Sequence, residues 1–243
     1  MSESKRPRRP SAGGYARGDE TRRKIIEAAI GLFGQHGFEG ASTREIAAKA
    51  GVNAPALQYY FENKEGLYRA CAEWIADESW QTMEPAVLHA RKVLAGEADG
   101  QASDEALVEA FIGIQMAVAN RTFIKHHEPD ARLFFAREQS GSEPEIGSRV
   151  LRERVREPLN QINLELLGRM TGCRADDPRT GVRLLSLYGQ FLLFHIARRS
   201  ALSLLQWDDI DPERAGFIKE TVRDQTRLLL AHWMRERDAK KTA

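Results

Sequence analysis

Apolar residues recur at helical spacing along almost the whole chain. Ile25, Ala29, Leu32 and Phe33 stand at i, i+4, i+7 and i+8. That is one stripe of a helix from about Glu20 to Gln35, which Gly37 should end. Ser42 and Glu45 have capping-box spacing ahead of Ile46, Ala47 and Ala50, so a short second helix is expected there. Gly51 closes it. Asn53 is placed to cap a third helix with Pro55 in its first turn, where a missing N–H costs little. A fourth helix is predicted from about Lys64 toward Trp80, and Pro85 is expected to start a separate, shorter one.

Beyond the loop 96–103, helices are predicted from Asp104 to Thr122, from about Glu128 to Gln139, and from Glu143 to Thr171, the last kinked or divided by Pro158. An apolar helix over 178–206 and a final helix from Pro212 to about Arg237 complete the pattern, with a frayed DAKKTA end. No β-branched run of period two and no Asn-Gly or Asp-Gly hairpin interrupts it, so the fold class is all-α.

Composition narrows the class. The two cysteines, Cys71 and Cys173, are far apart with no CxxC spacing, which points away from a disulfide framework and fits a reducing, cytoplasmic setting. The most apolar stretch, Val182 to Trp207, is broken by Arg183, Gln190, His195, Arg198 and Arg199; a buried helix is expected, not a membrane span. Residues 1–18 are basic and Pro/Gly-rich without an apolar signal-peptide core, and read as a disordered tail. Charge is uneven along the chain. Residues 1–25 hold eight Lys/Arg against three acids, on a chain whose total is +1. Such an end suits either a polyanion partner or a solubilising tail.

The two short helices at 42–50 and 53–61 have helix-turn-helix dimensions, with the N-terminus of the second placed to enter a major groove. The surrounding segment, TRRKIIEAAIGLFGQHGFEGASTREIAAKAGVNAPALQYYFENKEGL (21–67), resembles the DNA-binding domain of TetR-family regulators. It carries the Ile-x-x-Ala-Ala-x-x-Leu-Phe helix, the Gly-Phe corner, the Ile-Ala-x-x-Ala-Gly-Val turn and the Tyr-Tyr-Phe-x-x-Lys-Glu-x-Leu exit. The resemblance implies a double-stranded DNA partner, with Ala54, Pro55 and Gln58 facing bases and Thr43, Tyr59, Tyr60 and Lys64 contacting phosphates. The chemistry agrees. Hydroxyls and an ammonium suit phosphates, and the Gln58 amide can pair bidentately with adenine. Many relatives carry tyrosine at position 58, so Gln58 argues against carrying their operator sequences over to this chain. Packing against the first helix is the competing reading of Tyr59. Lys5, Arg6, Arg8 and Arg9 either follow the minor groove or form plain disordered tail.

The remainder is similar, at the level of motifs, to the CecR-like branch of the family: RLFFARE (132–138), the stretch around Pro158, and GQFLLFHIAR (189–198). Beside the disordered basic tail already read over 1–18, that resemblance implies a helix-turn-helix domain over 19–66 and a helical ligand-binding and dimerisation domain over 67–238. It also implies a homodimer released from a palindromic operator by a small organic effector. Leu184, Leu187, Phe191 and Phe194 are the expected dimer interface, and Phe111, Gln115, Met116, Phe134, Phe135 and Tyr188 the expected pocket lining, each set weighed against plain core packing.

No GxGxxG, P-loop, HExxH or GxSxG motif suggests an enzyme, and no cofactor is called for. His126, His127 and Glu128 form the one cluster that hints at metal, but adjacent histidines on a helix point about 100° apart, and a solvated turn is the simpler expectation. His195 reads as a core or interface histidine. An adaptor that kept the fold and lost DNA binding would lack Thr43, Tyr59 or Lys64, and all three are present.

Overall fold

A computed structural model describes residues 12–96, 102–124 and 129–242. Among them the chain is helical, with no strand. The arm residues 5–9 and the cluster 126–128 lie outside the described residues, as does the side chain of His195.

Helix α1 spans Ala12–Gly40, with a break at Gly37 (φ 75°, ψ 173°). It begins well before Glu20, so residues 12–18 are helical and not tail. Extending a formed helix backward adds a hydrogen bond per residue with no new nucleation, which carries it through Gly13, Gly14 and Gly18, and no proline follows Pro10 in this stretch. Helices α2 (Thr43–Lys49) and α3 (Ala54–Tyr60) follow. Helix α4 is continuous from Lys64 to Ala95 and contains Pro85, where a separate helix was expected. The Pro85 ring is exposed, while Met83, Val87 and Ala90 on either side are buried. Burying that face offsets the roughly 3 kcal/mol that an interior proline costs.

Helices α5 (Asp104–Ile124), α6 (Pro129–Gln139) and α7 (Glu145–Leu151) come next. A π-helical turn, Arg152–Arg156, then leads into α8 (Glu157–Thr171), so Pro158 sits in the first turn of a new helix. The expected helix 178–206 is divided at Ala197 (φ −104°, ψ 35°) into α9 (Pro178–Ile196) and α10 (Arg198–Leu205). Helix α11 runs Pro212–Thr242, through the segment expected to fray.

Three apolar cores form. The first joins Ile25, Phe33, Ile46, Leu57, Leu67 and Tyr68 to Phe134, Val150 and Leu151. Packing therefore does not end at residue 66: α6 and α7 complete the core of the N-terminal helices. The second core is built by α4, α5, α8, α9 and α11, the third around Phe123, Phe191 and Ile218. Leu184, Leu187 and Phe191, expected at a subunit interface, are buried inside the chain, and Phe194 is half-buried edge-on to Phe123. The opposite stripe of α9, with Val182, Leu185, Leu192, Leu193 and Ile196, is exposed instead.

Gly147 of α7 lies flat on the Tyr68 ring; a Cβ there would stand 2.5 Å from Tyr68 Cε1. Tyr68 is packed on its other sides by Phe33, Phe38 and Phe134 and cannot yield. Gly147→Ala is expected to destabilise the fold by about 1–3 kcal/mol, read as a lower thermal midpoint by circular dichroism.

Candidate nucleic-acid interface

Local chemistry builds the helix-turn-helix. The Ser42 hydroxyl accepts from the Glu45 N–H at 3.2 Å, and Glu45 Oε2 accepts from the Ser42 N–H at 3.1 Å, a complete capping box. The Ser42 hydroxyl and N–H also hold the Glu45 carboxyl below its ordinary range. Gly51, at φ 68°, lets the chain reverse, and the Val52 N–H returns to Ala47 O at 2.9 Å. Asn53 Oδ1 accepts from the Ala56 N–H at 2.8 Å and starts α3.

Of the seven residues of α3 only Leu57 is buried. It pins the helix to the core, with Ala56 and Tyr60 half-buried beside it and the opposite face turned outward. Ala54, Pro55 and Gln58 are exposed. Tyr59 is 83% exposed, so it does not pack against α1. Tyr60 is half-buried against the N-terminal core, its ring edge-on to Tyr59 at 5.3 Å. Thr43 and Lys64 are half-buried at the starts of α2 and α4. The Lys64 ammonium lies 4.6 Å from the centre of the Phe38 ring and donates to Glu39 O at 3.4 Å. The residues expected to face bases and phosphates thus come from α2, α3 and the start of α4, which consecutive caps hold in register. Asn63 Oδ1 supplies the last of these caps, accepting from Gly66 N at 2.7 Å.

The family comparison is decisive. Residues 25–71 match the model "Bacterial regulatory proteins, tetR family", and residues 107–232 match the "HTH-type transcriptional dual regulator CecR, C-terminal domain". The chain belongs to the TetR family. A TetR-family regulator binds DNA through this helix-turn-helix and controls transcription. The HTH-type transcriptional dual regulator CecR of Shigella flexneri is 32% identical over 216 residues, covering 88% of this chain and 93% of that protein. Among solved structures, a transcriptional regulator of Pseudomonas aeruginosa PAO1 superposes with a TM-score of 0.60 at 18% identity, over 90% of this chain and 94% of its own. AibR in complex with isovaleryl coenzyme A and operator DNA gives 0.59 at 17% identity, over 84% of this chain and 97% of its own. At those identities the structures speak for the TetR fold alone.

The expected pocket residues do not gather in one place. Phe134 and Phe135 belong to the N-terminal core, where Phe134 stacks on Tyr68 at 4.9 Å. Phe111, Gln115, Met116 and Tyr188 lie in the second core. Gln115 is fully buried, and its Nε2 donates to Leu187 O at 3.1 Å. Asn163 of α8, which sequence reasoning missed, donates through Nδ2 to Leu159 O at 2.7 Å and to the Tyr188 hydroxyl at 2.9 Å. Burial pushes the Tyr188 phenol well above its ordinary range, against the opposing effect of Asn163. Gln115 Oε1 and Asn163 Oδ1 have no hydrogen-bond partner among the described residues. No single-residue signal marks Asn163 in sequence; the structure places it on α8 against Tyr188 of α9. Among the described residues no group of three potential metal ligands occurs, and no helix is long and apolar enough to cross a membrane.

Proposed function

We propose that this TetR-family regulator is a cytoplasmic, homodimeric repressor that releases a palindromic operator when a small organic effector enters the core between α5, α8 and α9. The observation that carries the reading is the outer stripe of α9. Leu185 and Leu193 are 73% and 62% exposed, with Val182, Leu192 and Ile196 on the same face. Phe217 and Leu228 of α11 are exposed as well, eleven residues apart and so on one side of their helix. An apolar surface of this extent calls for a partner, and a second copy related by a two-fold axis would present two recognition helices to matching half-sites.

The effector reading rests on the second core. Gln115 and Asn163 spend their amide nitrogens on the protein and leave both oxygens uncommitted, and an unpaired buried acceptor costs about 1–3 kcal/mol. Phe111 stands edge-on to Tyr188 at 6.4 Å beside them. Among the described residues no charged side chain hydrogen-bonds to this set, so an uncharged organic molecule bearing a hydrogen-bond donor is the occupant that suits it. It would be bound and not turned over, and would act by favouring a conformer whose recognition helices are wrongly spaced for DNA. Because the Shigella relative is called a dual regulator, activation at some promoters is a second mode for this chain.

The test is selection of bound DNA from a random pool, then gel-shift titration of the winner at two salt concentrations. A palindrome should be enriched, with affinity falling steeply as salt rises. Gln58→Ala should weaken binding about tenfold or more and relax preference at one position of each half-site, in line with the roughly 1–3 kcal/mol of a bidentate base contact. Enrichment of asymmetric single sites would sink the dimer-on-palindrome reading.

A further inference from the structure

Gly37 breaks the hydrogen-bond ladder of α1 and turns the Phe38 N–H out of the helix. Interrupted this way, a helix leaves backbone carbonyls and an amide to be satisfied from elsewhere. One residue pair from α6 and the turn after it meets them. Arg137 Nε donates to Gly34 O at 2.7 Å and Nη2 to Gln35 O at 2.9 Å. Glu143 Oε2 accepts from the Phe38 N–H at 2.8 Å, with its carboxylate 4% exposed. A Cβ on residue 37 would stand 3.0 Å from Glu143 Oε1 and 3.2 Å from Arg137 Nη1, so the pair is seated directly on the glycine. Lys64 rests on the other side of the same corner, over Phe38 and against Glu39 O.

We infer that Arg137 and Glu143 are positioning residues for operator binding: they lock the Gly37 corner and set the angle at which the helix-turn-helix leaves the helical body. Three features support this. The corner lies near the end of α1, whose core residues pack with α6 and α7 of the body, and leads into α2, which begins the DNA-binding pair. The bracket supplies both a fork of donors and an acceptor, matching the two carbonyls and the amide beside the break. It also fixes Phe38 and Glu39, the platform for the Lys64 ammonium, so a shift at the corner moves a phosphate contact directly. The effector plays no part here; what is needed is the DNA binding common to the family and the phosphate contact proposed for Lys64.

The test uses the full-length protein with two readouts. The first is affinity for the pool-selected operator. The second is the distance distribution between spin labels at Glu62→Cys and Gln161→Cys in a Cys173→Ser background, Cys71 being buried. Both label sites are exposed, one beside the recognition helix and one on α8. Arg137→Ala and Glu143→Ala should each weaken operator binding about tenfold, within the usual span of coupling between sites, and broaden the distance distribution without DNA. Glu143→Gln keeps an acceptor for the Phe38 N–H and should stay within about twofold of wild type. Arg137→Lys should fail to rescue, because one ammonium does not reproduce the fork. Should either alanine variant fold poorly, the Gln and Lys variants carry the comparison. A narrow, wild-type distribution in Arg137→Ala or Arg137→Lys overturns the inference, whatever the affinity. So does wild-type affinity in Arg137→Lys.

Discussion

Leu185→Glu combined with Leu193→Glu is expected to leave a folded protomer that no longer dimerises and binds its operator at least about a hundredfold more weakly. Both side chains are among the most exposed leucines of the chain, so carboxylates there meet water in an isolated protomer and cost its fold little. Across a two-fold interface the same carboxylates would be desolvated and set against the apolar face of a second copy. On the dimer proposed above, operator affinity falls because the second half-site is engaged at high effective concentration, an advantage of roughly 10²- to 10⁴-fold that a monomer lacks. A second signature separates this cause from damage to the reading surface. Halving the number of phosphates neutralised should halve the slope of log affinity against log salt, whereas Gln58→Ala should leave the slope unchanged. Light scattering would show the halved mass. A variant that remains dimeric and binds DNA at full strength would remove the α9 stripe from the interface.

The helix-turn-helix is the part most readily read from sequence, because its determinants are local. Ser42 with Glu45, Gly51, and Asn53 with Pro55 each act on backbone within a few residues, and each forms the cap or turn its spacing implies. The body is different. Along α9, apolar residues occupy both the stripe of Leu184, Leu187 and Phe191 and the stripe of Leu185, Leu192 and Ile196. Periodicity reports that two faces are apolar and is silent on which one the protomer itself covers. Phe134 and Phe135 show the same limit in another form. Their pattern announces burial, but only the turn of α6 against α1 and α4 assigns them to the N-terminal core instead of a pocket. Pro85 misleads because a local rule is outweighed by the buried face on either side of it. The bracket at Gly37 joins residues more than a hundred positions apart, a pairing that no local spacing encodes.

Arg156→Ala is expected to lower stability by about 3 kcal/mol, the largest effect of any single change considered. Glu138 is almost wholly enclosed, its side chain 2% exposed, and Arg156 grips it with Nη1 to Oε2 at 3.0 Å and Nη2 to Oε1 at 2.8 Å. Nη2 also donates to Ser148 O at 3.0 Å. Without the guanidinium the carboxylate keeps one amide donor, Gln139 Nε2 at 3.1 Å, and stays buried with its charge uncompensated. The π-helical turn is what aims the arginine. Arg156 is its last residue, and each residue of register turns a helical side chain by about 100°, so an α-helical path through 152–156 would point Arg156 away from Glu138. A buried pair of this kind specifies an arrangement more than it stabilises one, since desolvation cancels much of the attraction. The double variant Arg156→Met with Glu138→Leu should therefore regain most of the loss and end within about 1 kcal/mol of wild type in urea denaturation. If the double variant is as unstable as Arg156→Ala, the pair contributes net stability, and the π turn is held open by attraction. If it recovers, the fold holds the turn without help from the ion pair.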